Sequence, residues 1–189
     1  MNKYEIRTNK KKEAILQASL ELFKKHGFIN TNIKNIAKLA KVSQVSIYNY
    51  FGSKNQLVKE VISYLMDGMV STAEEILAEA LPFPEKVRKA LSLCSEEFEN
   101  VIGEFFSVAA LEDPQMAQAI VSTLKDKNNY LYERYIEFGK AEGYIDKTIP
   151  TGTIVDFLNT MGTNPNYRQN NQKYRDDILK LFLHGILIK

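Results

Sequence analysis

Apolar residues recur at helical spacing along most of the chain, and the clearest short pattern lies between residues 31 and 54. Four apolar residues at i, i+3, i+4 and i+7 define one face of a helix: Ile33, Ile36, Ala37 and Ala40. Thr31 or Asn32 can cap its first amides. Ser43 is a cap for a second helix over residues 44–51, on which Ile47 and Phe51 share a side with Val42. These residues predict two short helices joined by a tight turn.

The rest of the chain continues the helical pattern, without alternating runs or hairpin dipeptides. A first helix is predicted over about residues 9–26, where Gly27 ends it as a left-handed cap. A connecting helix follows from residue 53 to about 80, and the next is predicted over about 84–100. A shorter helix follows that and ends at residue 111. The last three are predicted over 114–143, 151–161 and 176–188. The prediction is an all-α protein with a three-helix N-terminal bundle, residues 1–52, and a larger helical domain, residues 53–189.

The second short helix carries a polar face that suits the major groove of DNA. Its members are hydrogen-bonding or small apolar residues with no acidic side chain among them: Gln44, Val45, Ser46, Tyr48 and Asn49. Gln and Asn can pair with adenine edges, Ser can bond to several bases, and a small apolar group can contact a thymine methyl. Lys54 lies in the first turn of the next helix, where a bound phosphate would offset the unfavourable helix dipole. The pattern predicts a helix-turn-helix.

The run from Ile15 to Leu57 resembles the N-terminal domain of TetR-family transcriptional regulators. The resemblance rests on Ile15–Ala18, Leu22-Phe23, Gly27-Phe28, Ile36-Ala37, Val42-Ser43, Tyr48-x-Tyr50-Phe51 and Ser53-Lys54. It implies that Thr31 begins the helix that touches the DNA backbone and that residues 44–49 form the recognition helix. It also implies that Tyr48, Tyr50 and Lys54 clamp phosphates. Lys41 stands where the family usually has glycine, so we expect a left-handed or strained conformation there.

Charge is unevenly distributed along the 189 residues. Residues 1–60 hold twelve Lys/Arg against four Asp/Glu, net +8, and the remainder holds thirteen against nineteen, net −6. A basic N-terminal third is typical of a nucleic-acid-binding domain. Its first cations, Lys3, Arg7 and Lys10 to Lys12, form either a solvated terminus or an arm that contacts phosphates. One cysteine, no apolar leader and no spanning apolar run predict a cytoplasmic protein without a membrane partner.

Aromatic and sulfur side chains between the N-terminal bundle and the last two predicted helices have two interpretations. The simplest is a core, and the functional one is a cavity for a small molecule. The residues predicted to line such a cavity are Cys94, Phe98, Tyr132, Tyr135 and Phe138. The resemblance implies that an inducer would occupy it, but the sequence leaves that molecule unidentified.

The last two predicted helices are apolar on more than one side. A single chain can cover both apolar faces of such a helix only by burying the helix completely. The alternative is a homodimer, which the resemblance also implies. Its predicted interface residues are Ile154, Phe157, Leu158, Ile178, Leu181, Phe182 and Gly185.

Motifs of catalysis and cofactor binding are missing from the sequence. It contains no G-x-S-x-G, no Walker A loop and no H-E-x-x-H or paired-cysteine metal site. We therefore expect no enzyme activity, no cofactor and no metal site. The predicted function is a ligand-responsive DNA-binding regulator, most simply a repressor that a small molecule releases from its operator. The alternative is a constitutive DNA-binding or interaction module without a ligand.

Overall fold

Seven helices make up nearly all of the chain that the computed structural model describes, namely residues 3–92 and 114–162. It also describes five single helical residues further on: Lys173, Asp177, Lys180, Leu181 and Gly185. The seven helices are α1 (Lys3–Asn30), α2 (Ile33–Leu39), α3 (Gln44–Phe51), α4 (Lys54–Ala78), α5 (Phe83–Ser92), α6 (Pro114–Ala141) and α7 (Thr151–Gly162). The prediction of an all-α protein is confirmed.

Helix α1 begins six residues earlier than the apolar periodicity predicts, at Lys3 rather than near Asn9. Residues 3–12 contain no glycine or proline, and Glu5 lies in the first turn, where a carboxylate stabilises the positive end of the helix dipole. Gly27 interrupts the helix with φ 75° and ψ 162°. Phe28 can therefore fold back, and its ring centroid lies 5.7 Å from that of Phe23. The predicted positive φ of Gly27 is confirmed, but its ψ lies outside the left-handed helical region and helical hydrogen bonding resumes as far as Asn30, so Gly27 bends the helix and does not end it as the predicted cap.

The turn between α2 and α3 has the predicted tight geometry. Asn32 caps α2, because its side chain accepts a hydrogen bond from the Asn35 amide at 2.9 Å. Lys41 adopts φ 56°, a left-handed conformation that is uncommon outside glycine, as expected. Ser43 then caps α3, and its hydroxyl accepts a hydrogen bond from the Ser46 amide at 3.0 Å. The bounds of α3 match the prediction, and Gly52, with φ 76°, follows it.

Packing divides the described residues into two compact units. The first contains residues 3–72 and 114–127, and the second contains residues 73–91 and 128–162. The core of the first unit joins α1, α2 and α3 to α4, which contributes four fully buried residues: Leu57, Val58, Val61 and Ile62. The predicted domain boundary at residue 52 therefore differs from the packing, because the first half of α4 completes the N-terminal core.

The second unit has its own apolar cluster: Phe83, Ile136, Ile145, Ile154 and Val155. Half-buried aromatic residues pack against it, and the ring of Phe138 stacks on that of Phe83 at a centroid distance of 6.2 Å. Lys86 is 5% exposed, donates a hydrogen bond to the Leu77 carbonyl at 2.5 Å and lies 4.3 Å from the Phe138 ring centroid. A carbonyl in the last turn of α4 and an aromatic face thus solvate this buried cation.

Several predicted residues and helices lie outside the described residues. They are Cys94, Phe98, Ile178 and Phe182, together with the short predicted helix that ends at residue 111. No helix within the described parts of the chain combines the length and the apolar character needed to cross a membrane.

Candidate nucleic-acid interface

The face of α3 that the sequence assigned to DNA is the face that the first unit leaves uncovered. Val45 is 65% exposed and Tyr48 is 49% exposed, which is high for large apolar side chains in a folded unit. Gln44 and Asn49 are exposed beside them. Amide, phenol and small apolar groups are thus presented together on one side of a short helix, a set that can contact base edges in a major groove.

The opposite side of α3 is fixed in the core. Ile47 and Phe51 are buried in the first unit's apolar cluster, and Val42 from the turn packs against the same cluster. This packing stabilises α3, which with eight residues would be only marginally stable as an isolated helix. Because the buried residues set the rotation of α3, they also decide that Gln44, Val45, Tyr48 and Asn49 point outward.

Ser46 lies at the edge of this surface, and its hydroxyl already has a partner. The Ser43 and Ser46 hydroxyl oxygens are 2.8 Å apart, and Ser46 is half-buried. Its predicted contact with a base would require this cap interaction to rearrange. The structure therefore gives Ser46 a role at the beginning of α3.

Thr31 is the predicted DNA-binding residue whose side chain the structure places elsewhere. It is 2% exposed, and its hydroxyl contacts two carbonyl oxygens of α1, those of Gly27 at 2.8 Å and Leu22 at 3.2 Å. Asn32, not Thr31, caps α2. These contacts follow from the break at Gly27, which leaves α1 carbonyls in need of a donor. The Thr31 side chain therefore stabilises the end of α1.

Lys54 is also engaged inside the first unit. Its ammonium donates a hydrogen bond to the Phe28 carbonyl at 2.8 Å and lies 4.0 Å from the Phe28 ring centroid. The Ser53 hydroxyl caps the same helix by accepting a hydrogen bond from the Gln56 amide at 3.1 Å, as the sequence predicted. Lys54 thus links the end of α1 to the beginning of α4. A phosphate contact would have to share this ammonium with Phe28.

Tyr50 is half-buried near the end of α3 and packs edge-on against Phe51, with ring centroids 6.4 Å apart. The ammonium of Lys12 lies 6.0 Å from its ring centroid. Sequence reasoning did not connect Lys12 with α3, because the two are separated by more than thirty residues. Only the packing of α1 brings this cation to α3.

Three of the five residues predicted to line a ligand cavity are described by the structure, and they pack in the second unit. Tyr132, Tyr135 and Phe138 are half-buried against its apolar cluster. The Tyr135 hydroxyl donates to the Ala73 carbonyl at 2.8 Å. Burial, helped by the nearby Glu79 carboxylate, raises the pKa of Tyr135 to about 12. Their observed contacts match the core interpretation that the sequence left open.

An open cleft of about 380 Å³ lies in the first unit, where the sequence predicted none. Its lining residues are Leu20, Tyr64, Leu65, Asp67, Gly68, Met69 and Thr72. The i and i+4 spacing of Leu65 and Met69 was the available signal, but the same spacing equally predicts a core. Of the predicted ligand residues, the three that the structure describes, Tyr132, Tyr135 and Phe138, do not line this cleft.

The predicted dimer residues divide into buried and exposed groups. Ile154 is buried in the second unit's own cluster, and Leu158 is half-buried against it. Phe157, between them, is 51% exposed. Leu181 and Gly185 are also exposed. Ile154 therefore belongs to the core of its own chain, whereas Phe157 and Leu181 leave apolar surface uncovered.

Metal chemistry finds no support in the parts of the chain that the structure describes. No group of three His, Cys, Asp or Glu side chains there is arranged to hold an ion.

Comparison with known proteins agrees with this geometry. Residues 15–61 match the family model described as "Bacterial regulatory proteins, tetR family". The chain is 36% identical over 81 residues to the uncharacterized HTH-type transcriptional regulator YhgD of Bacillus subtilis. This match covers 43% of this chain and 42% of that protein. It is 31% identical over 102 residues to the HTH-type transcriptional repressor NicS of Pseudomonas putida, covering 54% and 48%. These matches span less than half the length of either relative.

Structural similarity extends over more of the chain. A crystal structure of a transcriptional regulator from Cytophaga hutchinsonii superposes with a TM-score of 0.73 and 19% sequence identity, covering 93% of this chain and 98% of that one. At this identity the likeness establishes the fold. Residues 15–61 therefore form a domain that matches the tetR family of bacterial regulatory proteins, and the chain as a whole shares the all-helical fold of the Cytophaga hutchinsonii protein.

Proposed function

We propose that this chain is a transcriptional repressor that binds operator DNA as a homodimer and is released by a small molecule. The observation that carries DNA binding is the exposure of Gln44, Val45, Tyr48 and Asn49 on α3, opposite a buried anchor. A cytoplasmic location is part of the same proposal, because an operator must be accessible.

Direction of regulation and quaternary structure rest on separate support. NicS, one of the relatives, is named as a repressor. A symmetric dimer would present two copies of α3 to a pseudo-palindromic site with half-sites about 34–36 Å apart, or a multiple of that distance. The exposed apolar side chains of Phe157 and Leu181 are candidate parts of the dimer interface. Burying them against a second copy would remove apolar surface from water.

Residues of the α3 surface are expected to divide into two roles. Gln44 and Asn49 carry amides that can form paired hydrogen bonds with one base, so they should determine base preference. Tyr48, Tyr50 and Lys54 are assigned to phosphates, which position the protein without selecting sequence. For Lys54 this includes exchanging or sharing its bond to the Phe28 carbonyl.

The experiment is selection from a randomised duplex library, followed by fluorescence anisotropy on the enriched site. Wild type should enrich a two-fold symmetric sequence. Gln44→Ala should reduce the preference for one base pair per half-site by about 1–3 kcal/mol. Gln118→Ala is the matched control, because it removes an exposed glutamine from α6 in the same unit. Enrichment of no sequence by the wild type would contradict the proposal.

Tyr50→Phe should instead weaken binding to all sequences to a similar extent, because it removes a phosphate-directed hydroxyl. A uniform loss for Gln44→Ala, or a base-specific loss for Tyr50→Phe, would contradict the assigned docking. Tyr50→Phe keeps the ring that packs against Phe51, and Gln44→Ala removes only an exposed side chain.

Release by a small molecule is tested separately, with a metabolite library screened for loss of the anisotropy signal. A compound that releases DNA must bind the protein more weakly when operator is present, by the same factor, because coupling between two sites is reciprocal. Equal affinity for the compound with and without operator would contradict an inducer role. DNA binding that no compound changes would favour the constitutive module.

A further inference from the structure

Two long helices, α4 and α6, each contribute residues to both compact units. Helix α4 passes from the first unit to the second after Thr72, and α6 does so after Lys127. In α6, Ile120 is buried in the core of the first unit, and Ile136 is buried in the apolar cluster of the second. They are 16 positions apart in sequence, or about 24 Å along a helix. One helix therefore has a buried anchor in each unit.

Helix α4 contains a weak segment, residues 68–72, directly before it passes into the second unit. Gly68 lies in the helix interior, where glycine is less favourable than alanine. A Cβ at Gly68 would meet no atom within 4 Å in the part of the chain that the structure describes, so packing does not account for the glycine. The Thr72 hydroxyl donates a hydrogen bond back to the Gly68 carbonyl at 3.0 Å, and such bonds slightly weaken and often bend helices.

Helix α6 lacks a glycine at the corresponding place and is held by side chains on both sides of it. Residues 115–138 contain neither glycine nor proline. Within the first unit, the Lys127 ammonium pairs with the Asp67 carboxylate. Within the second unit, the side-chain oxygen of Asn129 accepts a hydrogen bond from the Asn159 amide at 2.8 Å. The passage of α6 from one unit to the other is therefore better supported than that of α4.

Contacts from α6 also hold α4 on either side of the weak segment. Three pairs form these contacts: Lys127–Asp67 before the segment, and Arg134–Glu74 and Tyr135–Ala73 after it. The two ion pairs are at least partly exposed and individually weak. The half-buried Tyr135 hydroxyl, which donates to the Ala73 carbonyl at 2.8 Å, is the stronger support. Helix α6 thus bridges the weak segment of α4.

We propose that α6, and not α4, is the element that couples the second unit to DNA binding by α3. The weak segment lets α4 bend, whereas α6 carries a displacement from Ile136 to Ile120. Ile120 packs in the same core as Ile47, the buried residue of α3. This inference rests on the proposed function, because it concerns how operator binding and the second unit affect each other. Coupling is reciprocal, so bound operator must change the second unit, and no effector is needed to detect it.

The test measures amide hydrogen exchange of the full chain with and without the operator duplex obtained by selection. In the wild type, the duplex should slow the exchange of amides near Ile136 by at least about 5-fold, the lower end of typical coupling between two sites. Ile136 lies in the second unit, whose amides α3 does not contain. Slower exchange there reports coupling and not direct protection by DNA.

Two double variants make one helix each more flexible where it passes between the units. The α6 variant carries Asp126→Gly and Asn128→Gly, and the α4 variant carries Ser71→Gly and Glu75→Gly. All four residues are exposed, and each pair removes one carboxylate and one neutral polar side chain. The α6 variant should lose the duplex-induced slowing, whereas the α4 variant should keep most of it. Circular dichroism checks that both variants remain folded.

Gly68→Ala provides a second test that strengthens a helix. Alanine favours helix, and its Cβ would meet no described atom within 4 Å, so α4 should become stiffer without a clash. Added to the α6 variant, Gly68→Ala should restore part of the slowing near Ile136, because α4 then connects the two units without its glycine.

An equal or greater loss in the α4 variant would assign the coupling to α4 and overturn the proposal. The same conclusion follows if the wild type binds the duplex without slower exchange near Ile136, or if Gly68→Ala restores nothing. Should the α6 variant not fold, the α4 variant decides alone, since kept slowing supports the proposal and lost slowing overturns it. A wild type that binds no duplex in the anisotropy assay would instead contradict the proposed function itself.

Discussion

Helix α3, which we propose binds DNA, and the aromatic cluster of the second unit use similar residue types in opposite ways. In α3, Tyr48 and Val45 are exposed, and the buried side contains only Ile47 and Phe51. In the second unit, Tyr135 and Phe138 are half-buried, and their polar or π groups are engaged with Ala73, Lys86 and Phe83. An aromatic side chain is therefore informative about binding when it is exposed without a packing reason.

This difference explains why the sequence indicated a binding surface on α3 but could not distinguish a ligand cavity from a core in the second unit. A binding surface made of exposed residues has a sequence signal, because polar groups occupy the face opposite a regular apolar stripe. A cavity and a core have the same apolar and aromatic composition. The four predictions that follow test this contrast between the two units, from the largest expected effect to the smallest.

The largest effect is expected for the two sides of α3. Ile47→Ala should lower the free energy of unfolding of the first unit by about 2–5 kcal/mol, because it leaves a cavity in the core. Val45→Ala, on the exposed side, should change it by less than about 0.5 kcal/mol while weakening DNA binding. Urea denaturation and operator titration measure the two quantities. Similar stability losses for both variants would remove the distinction between anchor and binding surface.

In the second unit the corresponding test is close packing around Gly139. A Cβ there would lie 2.6 Å from the Phe83 Cζ and 2.7 Å from the Ile145 Cδ1. Gly139→Ala should destabilise this unit by about 1–3 kcal/mol, although alanine favours helix. Gly152→Ala in α7 is the control, because its Cβ would meet nothing within 4 Å. A stabilising Gly139→Ala would mean that the cluster has the room of a cavity. Thermal unfolding measures both.

Tyr135→Phe tests whether this hydroxyl contributes to packing. Loss of its bond to the Ala73 carbonyl should lower the free energy of unfolding by about 0.5–1.5 kcal/mol at neutral pH. The folded-state pKa of about 12 exceeds the ordinary value of 10, so the folded protein keeps a proton that the unfolded chain loses. That contribution is complete below pH 10 and is lost as pH rises towards 12.

Stability measured from pH 9 to 12 should therefore fall less steeply for Tyr135→Phe than for wild type. Tyr48→Phe on the exposed face of α3 is the control and should follow the wild-type curve. Identical alkaline profiles for all three proteins would show that the Tyr135 hydroxyl is not part of the folded packing.

The smallest effect concerns the turn that sets the direction of α3. Lys41 adopts φ 56°, which costs a non-glycine residue about 1 kcal/mol or more. Lys41→Gly relieves this strain but adds entropy to the unfolded chain, so a net stabilisation of up to about 1 kcal/mol is expected. Lys38→Gly in α2 is the contrasting variant and should destabilise by about 1 kcal/mol. Differential scanning calorimetry compares them, and a destabilised Lys41→Gly would contradict the strain.

Local sequence chemistry determined the parts of the fold that depend on a few neighbouring residues. Ser43 and Gly52 fixed the bounds of α3, and the positive φ angles of Gly27 and Lys41 were expected from the turns around them. Caps and turns act over three or four residues, so their physical causes lie within a short stretch of chain. Apolar periodicity likewise predicted the buried side of α3. The start of α1 was missed because charged residues without apolar periodicity can also form a helix.

Tertiary structure decided what covers each side chain. Thr31 was predicted to meet DNA, and Ile154 was predicted to meet a partner, yet each is buried within its own unit. The sequence assigned Lys54 to phosphate without indicating its contact with Phe28, and Lys12 lies near Tyr50, more than thirty residues away in sequence. Periodicity shows which residues share a face, but the partner of that face comes from distant segments. Its identity is therefore set by packing, which no local pattern encodes.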